Sequence, residues 1–348
     1  MAERGLVVLS QRLGPVTQDE RRIEEAGHGT VVSSPLWTVD DIRTHAAAAD
    51  AVIAGAVEPF DAEAIAALGR CRAIVRRGVG YDNVDVAAAT AAGIVVANVT
   101  DASVEEVSDH ALAMLLSLER RLPALDRLVH EGRWRHDPGA IAAVRAPIRR
   151  LRELTLGIVG FGRIGRAMAR KSAGVYGRIL AHDPYVDPDA GAAHSVELVG
   201  LDELLHAADH VTLHVALTSG SRRLLDAAAL GRMRPGAILV NTARGGVVDE
   251  SALLDALRAG ALGGAGLDVT EREPLPPDSP LPHQDGLLLT GHSAVASTTA
   301  QRDLARRSVD AVLAVLDGRL PDSVVNPEVL DSPAVRLRGR AGPAPSVV

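Results

Sequence analysis

The chain has 348 residues, 47% of them hydrophobic and 23% charged, which suits a globular protein with room for two domains, each with its own core. A net charge of −7 argues against nucleic acid or an anionic membrane surface as the main partner. No apolar run approaches the ~18 residues of a membrane span, no signal peptide is visible ahead of Leu6, and the one cysteine, Cys71, excludes an internal disulfide and fits a reducing cytoplasm.

Short apolar runs alternate with Ala-rich amphipathic stretches from end to end, the pattern of βαβ units and parallel sheets. In the first part, strands are predicted at Leu6–Ser10, Ala51–Ala54, Ala73–Arg76 and Ile94–Ala97, with helices at Thr17–Ala26, Thr38–Ala48 and Ala62–Leu68 between them. A long helical pattern follows from Val104 towards Arg120, where Pro123 is expected to kink or end it. Six further strands are expected: one ending at Gly160, one ending at Asp183, Val211–Val215, Ala237–Thr242, Ala265–Val269 and Leu287–Thr290. A last helix, Ala300–Leu316, has no strand to follow and is expected to return to the first part. The residues after about Asp331, with Arg-Gly-Arg-Ala-Gly-Pro-Ala-Pro, have the composition of a disordered tail.

The most informative stretch is Leu156 to Gly165, an apolar run leading into Gly160-Phe161-Gly162-Arg163-Ile164-Gly165. A helical pattern follows, then a second apolar run that ends at Asp183. Strand, glycine turn, helix and acid-tipped strand together form a dinucleotide-binding fingerprint. The first glycine permits the turn, the second lets backbone approach a pyrophosphate, and the third lets helix pack on strand. Free N–H groups at the helix start would face the phosphates, and Asp183 would accept from the adenosine ribose. No arginine or lysine follows Asp183 in Pro184-Tyr185-Val186-Asp187-Pro188-Asp189, which favours NAD over NADP. There is no Gly-Lys-Ser/Thr, hence no P-loop. Lys171, the only lysine and the only candidate for Schiff-base chemistry, is expected on a helix surface.

Three more segments stand at the carboxyl ends of predicted strands, where open α/β sheets bind ligands. They are Asn241-Thr242-Ala243-Arg244-Gly245-Gly246, Gly266-Leu267-Asp268-Val269-Thr270-Glu271-Arg272-Glu273-Pro274 and Thr290-Gly291-His292-Ser293-Ala294. With Arg76-Arg77-Gly78-Val79-Gly80-Tyr81-Asp82-Asn83-Val84-Asp85, Ala208-Asp209-His210-Val211-Thr212-Leu213-His214 and Met233-Arg234-Pro235-Gly236, these motifs span most of the chain. In their order and spacing the chain resembles the D-isomer-specific 2-hydroxyacid dehydrogenases, nearer to the C-terminal-binding-protein and phosphoglycerate-dehydrogenase-like branches.

That resemblance implies an α/β fold of two doubly wound parallel-sheet domains. A Rossmann NAD-binding domain, 101–295, is inserted into a smaller flavodoxin-like substrate domain, 1–100 with 296–330, and 331–348 is the tail. It implies hydride transfer between NAD(H) and a small 2-oxo or D-2-hydroxy acid. His292 would protonate the carbonyl oxygen, a task that suits histidine because its ordinary pKa of about 6.5 is near working pH. Glu273 would bond the other ring nitrogen and fix the tautomer. Chemistry alone leaves Glu271 open as the acid; the family pattern, with its acid directly before proline, selects Glu273. Arg244 would fork onto the substrate carboxylate, which lysine does poorly. Arg76, favoured over Arg77 by the match, would complete the carboxylate cradle with the N–H groups of Val79 and Gly80. Cofactor contacts fall to Gly160 through Gly165, Asp183, His214, Val215, Thr242, Ala243 and, for the nicotinamide carboxamide, Asp268. A homodimer is implied through the long-helix region.

Three departures stand out. The family usually has proline where this chain has Gly291, an aromatic residue where it has Val295, and proline where it has Ala216. The alternatives are a non-enzymatic NAD-sensing scaffold, or a substrate bearing phosphate, phosphonate or phosphite that uses the Arg76–Arg77 pair for a second anion. His206, His210 and His214 are spaced by fours, but a strand reading of Val211–Val215 takes them off a common face and argues against a metal site. Trp134 is expected to pack between domains.

Overall fold

In a computed structural model residues 5–337 are described. The chain divides into two compact units: one takes the chain up to Ser103 and again from Ser297, the other runs from Val104 to Ala296.

The first unit is built on strands β1 (Leu6–Ser10), β2 (Thr30–Ser34), β3 (Ala51–Ala54), β4 (Ala73–Arg76) and β5 (Val95–Asn98). All pair in parallel in the order β2-β1-β3-β4-β5. Such a sheet is buried on both faces, so its strands are continuous apolar runs whose alternate residues feed two cores. Val8, Val52, Ile74 and Val96 pack on one side, Val7, Leu9, Ile53, Val75 and Val95 on the other. Strand β2 was not expected. Its Thr-Val-Val-Ser-Ser is partly polar because an edge strand bonds one neighbour and buries little. Helices α1 (Gln18–Glu25), α2 (Val39–Ala46), α3 (Ala62–Ala67) and α4 (Val86–Ala91) start at Thr17, Thr38, Asp61 and Asp85, whose side-chain oxygens accept first-turn N–H groups.

The second unit opens with α5 (Val104–Glu119), which lays Ala111, Met114, Leu115 and Leu118 against Ile158 and Val240. It breaks before Pro123: Arg121 turns left-handed at φ 55°, and Pro123 lies in the first turn of α6 (Leu122–His130), where its missing N–H costs nothing. Two short helices, α7 (Arg133–His136) and α8 (Pro138–Arg145), follow, and Trp134 on α7 is 66% exposed.

Beyond them come β6 (Thr155–Val159), α9 (Arg163–Ser172), β7 (Arg178–His182), β8 (Glu197–Leu198), α10 (Leu201–Ala207) and β9 (His210–Leu213). Helix α11 (Ala227–Arg232), β10 (Ala237–Asn241), α12 (Glu250–Arg258), β11 (Leu262–Leu267) and β12 (Leu287–Leu289) complete the unit. The sheet is parallel, ordered β12-β11-β10-β9-β6-β7-β8. It has seven strands, not six; β8 is two residues long, too short to leave a periodic signal. Strand β9 ends at Leu213, so His214 and Val215 lie beyond it. Strand order reverses between β6 and β9, the switch point at which doubly wound sheets bind ligands.

Helix α13 (Thr298–Leu316) belongs to the first unit, packing Val309, Val312 and Val315 into the core of Val7, Ile53 and Val75. The stretch from Asp331 to Leu337 does not behave as a loose tail. Arg72 donates to the carbonyls of Val315, Leu316, Arg336 and Leu337, and Arg336 donates to those of Leu68 and Cys71. Two arginines hold the segment, and Val335 and Leu337 pack on the first unit's core, contacts that composition does not reveal. Residues 338–348 lie outside the described residues.

Candidate active site

The glycine loop stands at the switch point of the second unit. Gly160 is left-handed at φ 94°, and a Cβ there would come within 2.5 Å of the His214 carbonyl, so the turn admits only glycine. No side chain caps the first turn of α9, which begins at Arg163. Gly162 and Arg163 are exposed and Ile164 is half-buried. Such a start presents N–H groups and the positive end of the helix dipole to an anion. The Phe161 N–H is spent differently: it donates to Asp183 Oδ2 at 2.8 Å, while Tyr185 N–H donates to Asp183 Oδ1 at 3.0 Å. Asp183 is thus anchored by both loops.

Across the switch point, two buried polar atoms bond nothing among the described residues, Thr242 Oγ1 and His214 Nδ1. His214 Nε2 lies 3.1 Å from Thr212 Oγ1, and burial pushes the ring down to about 3, so it is neutral at pH 7. Orphaned buried polar atoms are rare in folded chains. Here both stand at carboxyl ends of adjacent strands beside the glycine loop, a setting that fits a dinucleotide.

The acid, the histidine and the arginine occupy the next three strand ends. Arg244 follows β10, with Asn241 locking its loop: Asn241 Nδ2 donates to the Arg244 carbonyl and Oδ1 accepts from Ala243 N–H. Arg244 is partly buried, and its Nη1 donates to the Ala243 carbonyl at 2.8 Å. Glu273, beyond β11, accepts from Thr270 N–H through Oε1 at 3.0 Å and meets His292 Nδ1 through Oε2 at 2.6 Å. Glu271 is engaged elsewhere: its N–H donates to Glu250, and its carboxylate lies 3.9 Å from Arg223. Geometry therefore makes Glu273 the partner of His292.

His292 itself is unusual. It is left-handed at φ 57° directly after Gly291 at φ 61°. Proline, fixed near −65°, could not adopt the backbone of Gly291. Asp268, only 2% exposed, holds this turn together. Its carboxylate accepts from Thr290 Oγ1 at 2.6 Å, Ser293 N–H at 2.7 Å and Ala294 N–H at 3.1 Å. Its carbonyl accepts from His292 N–H.

In the first unit, Arg76 and Arg77 separate as alternation requires. Arg77 is buried with Glu20, Nη2 to Oε1 at 2.5 Å, and its Nε donates to Ser308 Oγ. Arg76 Nη1 donates to the Arg77 carbonyl, and the Gly78–Val79–Gly80 loop is tied to the end of β5 by bonds to the Gly78 and Val79 carbonyls.

The remaining candidates resolve structurally. Lys171 is mostly buried, within 3.0 Å of carboxylate oxygens of Glu105 and Asp109 and bonded to Ser108, not exposed as a helix-surface lysine. His206 bonds the Asp202 carbonyl on α10, whereas His210 is buried between Tyr176 and Glu119, so they share no site with His214. No group of metal-ligating side chains occurs among the described residues, and no described helix is long and apolar enough to cross a membrane. Sequence reading missed His110 on α5, whose Nε2 is 3.0 Å from Thr290 Oγ1. The two are 180 positions apart, and no spacing rule joins them.

Comparison with known proteins places these features. The NAD-binding domain of the D-isomer specific 2-hydroxyacid dehydrogenases matches residues 112–294. The glyoxylate reductase of Korarchaeum cryptofilum is 40% identical over 283 residues, 81% of this chain and 84% of the relative. The D-3-phosphoglycerate dehydrogenase of Mycobacterium tuberculosis is 38% identical over 277 residues, which cover 79% of this chain and 51% of the relative, so the chain spans about half of that enzyme's length. A D-lactate dehydrogenase from Aquifex aeolicus, solved with NAD and lactic acid, superposes with a TM-score of 0.79 at 26% identity over 92% of this chain and 98% of that one.

Proposed function

Since the chain belongs to the D-isomer-specific 2-hydroxyacid dehydrogenases and carries their NAD-binding domain, we propose that it interconverts a small 2-oxo acid and its D-2-hydroxy acid with NAD(H). The observation that carries this reading is the 2.6 Å contact between His292 Nδ1 and Glu273 Oε2. With Nδ1–H given to Glu273, the ring presents Nε2 to a substrate. NADH, when bound, supplies the hydride that reduces the carbonyl carbon. His292 then gives its Nε2 proton to the carbonyl oxygen and is left neutral, and the reverse reaction takes the proton back. Glu273 keeps the ring in that tautomer and steadies its cationic form.

Arg244 would grip the substrate carboxylate in two-point fashion, with Arg76 and the N–H groups of Val79 and Gly80 as further anion-binding groups. On the cofactor side, the glycine loop and first turn of α9, Gly160 to Gly165, would take the pyrophosphate and Asp183 the adenosine ribose. His214, Val215, Thr242 and Ala243 would line its path. Asp268 uses three of the roughly four lone-pair directions of a carboxylate, leaving one for the carboxamide. Commitment of Arg77 to Glu20 favours substrates with a single anionic group over phosphorylated ones.

The test is NADH consumption against a panel of 2-oxo acids, with and without phosphate groups. Glyoxylate, pyruvate or hydroxypyruvate is expected to turn over. His292→Ala should cut kcat by at least about a hundred-fold and leave NADH binding intact; undiminished turnover would remove His292 from the reaction.

A further inference from the structure

His110 projects from α5 at the rim of the turn that carries His292, and nothing above gives it a part. Its Nε2 is 3.0 Å from Thr290 Oγ1 and 3.6 Å from Asp268 Oδ1. The Thr290 hydroxyl has one hydrogen, and its 2.6 Å contact with the Asp268 carboxylate commits that hydrogen to Asp268. The hydroxyl can therefore only accept from His110, which fixes the direction of the chain: His110 Nε2–H to Thr290 Oγ1, Thr290 Oγ1–H to Asp268 Oδ1. Asp268 in turn receives Ser293 N–H and Ala294 N–H, and its carbonyl receives His292 N–H.

The turn so held is strained. Two successive left-handed residues, one of them a histidine, persist only where the surroundings over-determine them. From this geometry we infer that His110 is a positioning residue for His292, acting through Thr290 and Asp268. It keeps the Thr290 hydroxyl aimed at Asp268, and Asp268 keeps the turn in the conformation from which His292 Nδ1 reaches Glu273. This rests on the catalytic reading of His292, but the brace is a property of the fold and can be read without turnover.

The experiment compares His110→Phe, His110→Gln, Thr290→Val and the double variant H110F/T290V. Gln restores a donor near the Nε2 position; Phe does not. H110F is expected to lose between about ten- and a hundred-fold in kcat, with the KM for NADH unchanged, and H110Q to recover most of it. If His110 works through Thr290, the double variant falls no further than T290V alone. Additive losses, or full activity in H110F, would overturn the inference. The second readout is the His292 ring resonance, identified by its disappearance in His292→Gln, at one fixed pH. It should move in H110F and T290V alike and return in H110Q; an unmoved resonance also overturns the brace. Should the wild-type protein reduce no 2-oxo acid, the proposed function falls, and the resonance comparison still decides the role of His110.

Discussion

Gly291 and His292 form the least expected pair of residues in this chain. Both are left-handed, the first at no steric cost and the second at roughly 1–2 kcal/mol. The left-handed path of the backbone at Gly291 excludes proline there. Gly291→Pro is therefore expected to shift His292 off Glu273 and to lower kcat by about a hundred-fold or more. Wild-type kinetics in that variant would show that the left-handed turn is dispensable. Asp183 makes the other sharp residue-level claim. It holds the Phe161 and Tyr185 N–H groups and would still accept from a ribose hydroxyl. Asp183→Ala should weaken NADH binding about ten-fold or more, by titration, and weaken NADPH much less because a repelling carboxylate has gone. Equal losses for the two cofactors would contradict the discrimination assigned to Asp183.

Among the elements, the amino-terminal end of the second sheet is tied to α5 by a buried polar chain. Glu119, at the end of α5, accepts from the backbone N–H and the guanidinium of Arg149, and its Oε2 lies 2.9 Å from His210 Nε2. His210 Nδ1 meets the Tyr176 hydroxyl at 2.7 Å, so a neutral ring with Nε2–H satisfies every partner. Burial alone would push the Glu119 carboxyl up, but the bonds from His210 and Arg149 outweigh it and hold the group down at about 2. With a folded value below the ordinary 4.5, its stabilisation is complete above about pH 4.5 and is lost as pH falls towards 2. The difference is worth roughly 3 kcal/mol. Denaturant titrations between pH 5 and 2 should show the wild type losing that stability, and Glu119→Gln should be weaker at pH 5 with a flatter acid limb. A variant with the same acid limb as wild type would mean the chain contributes no pH dependence.

Taken whole, the molecule keeps its two units on separate cores, each with its own sheet. Arg72 bridges the end of α13 and the segment up to Leu337 by four carbonyl contacts, all within the first unit. Arg72→Ala should lower the stability of that unit by about 2 kcal/mol, because four part-buried carbonyls lose their donor. The NADH affinity of the second unit should stay unchanged. A parallel fall in Tm and NADH affinity would show that the two units share one cooperative transition.

Sequence alone determined both parallel sheets, the glycine turn with Asp183, and the strand-end segments that carry Arg244, the Glu271 and Glu273 pair, and His292. These follow from local rules: apolar runs of strand length, glycine where a turn demands it, and polar residues grouped just past the strands. It missed β2 and β8, whose short or half-polar strands give weak patterns, and mistook an arginine-held segment for a tail. Only the tertiary structure could choose Glu273 over Glu271 by contact, separate Arg76 from Arg77, and bring His110 to Thr290 and Asp268. Each of those depends on residues from different elements meeting in space, and a side chain's partners are set by how elements pack, which chain spacing does not encode.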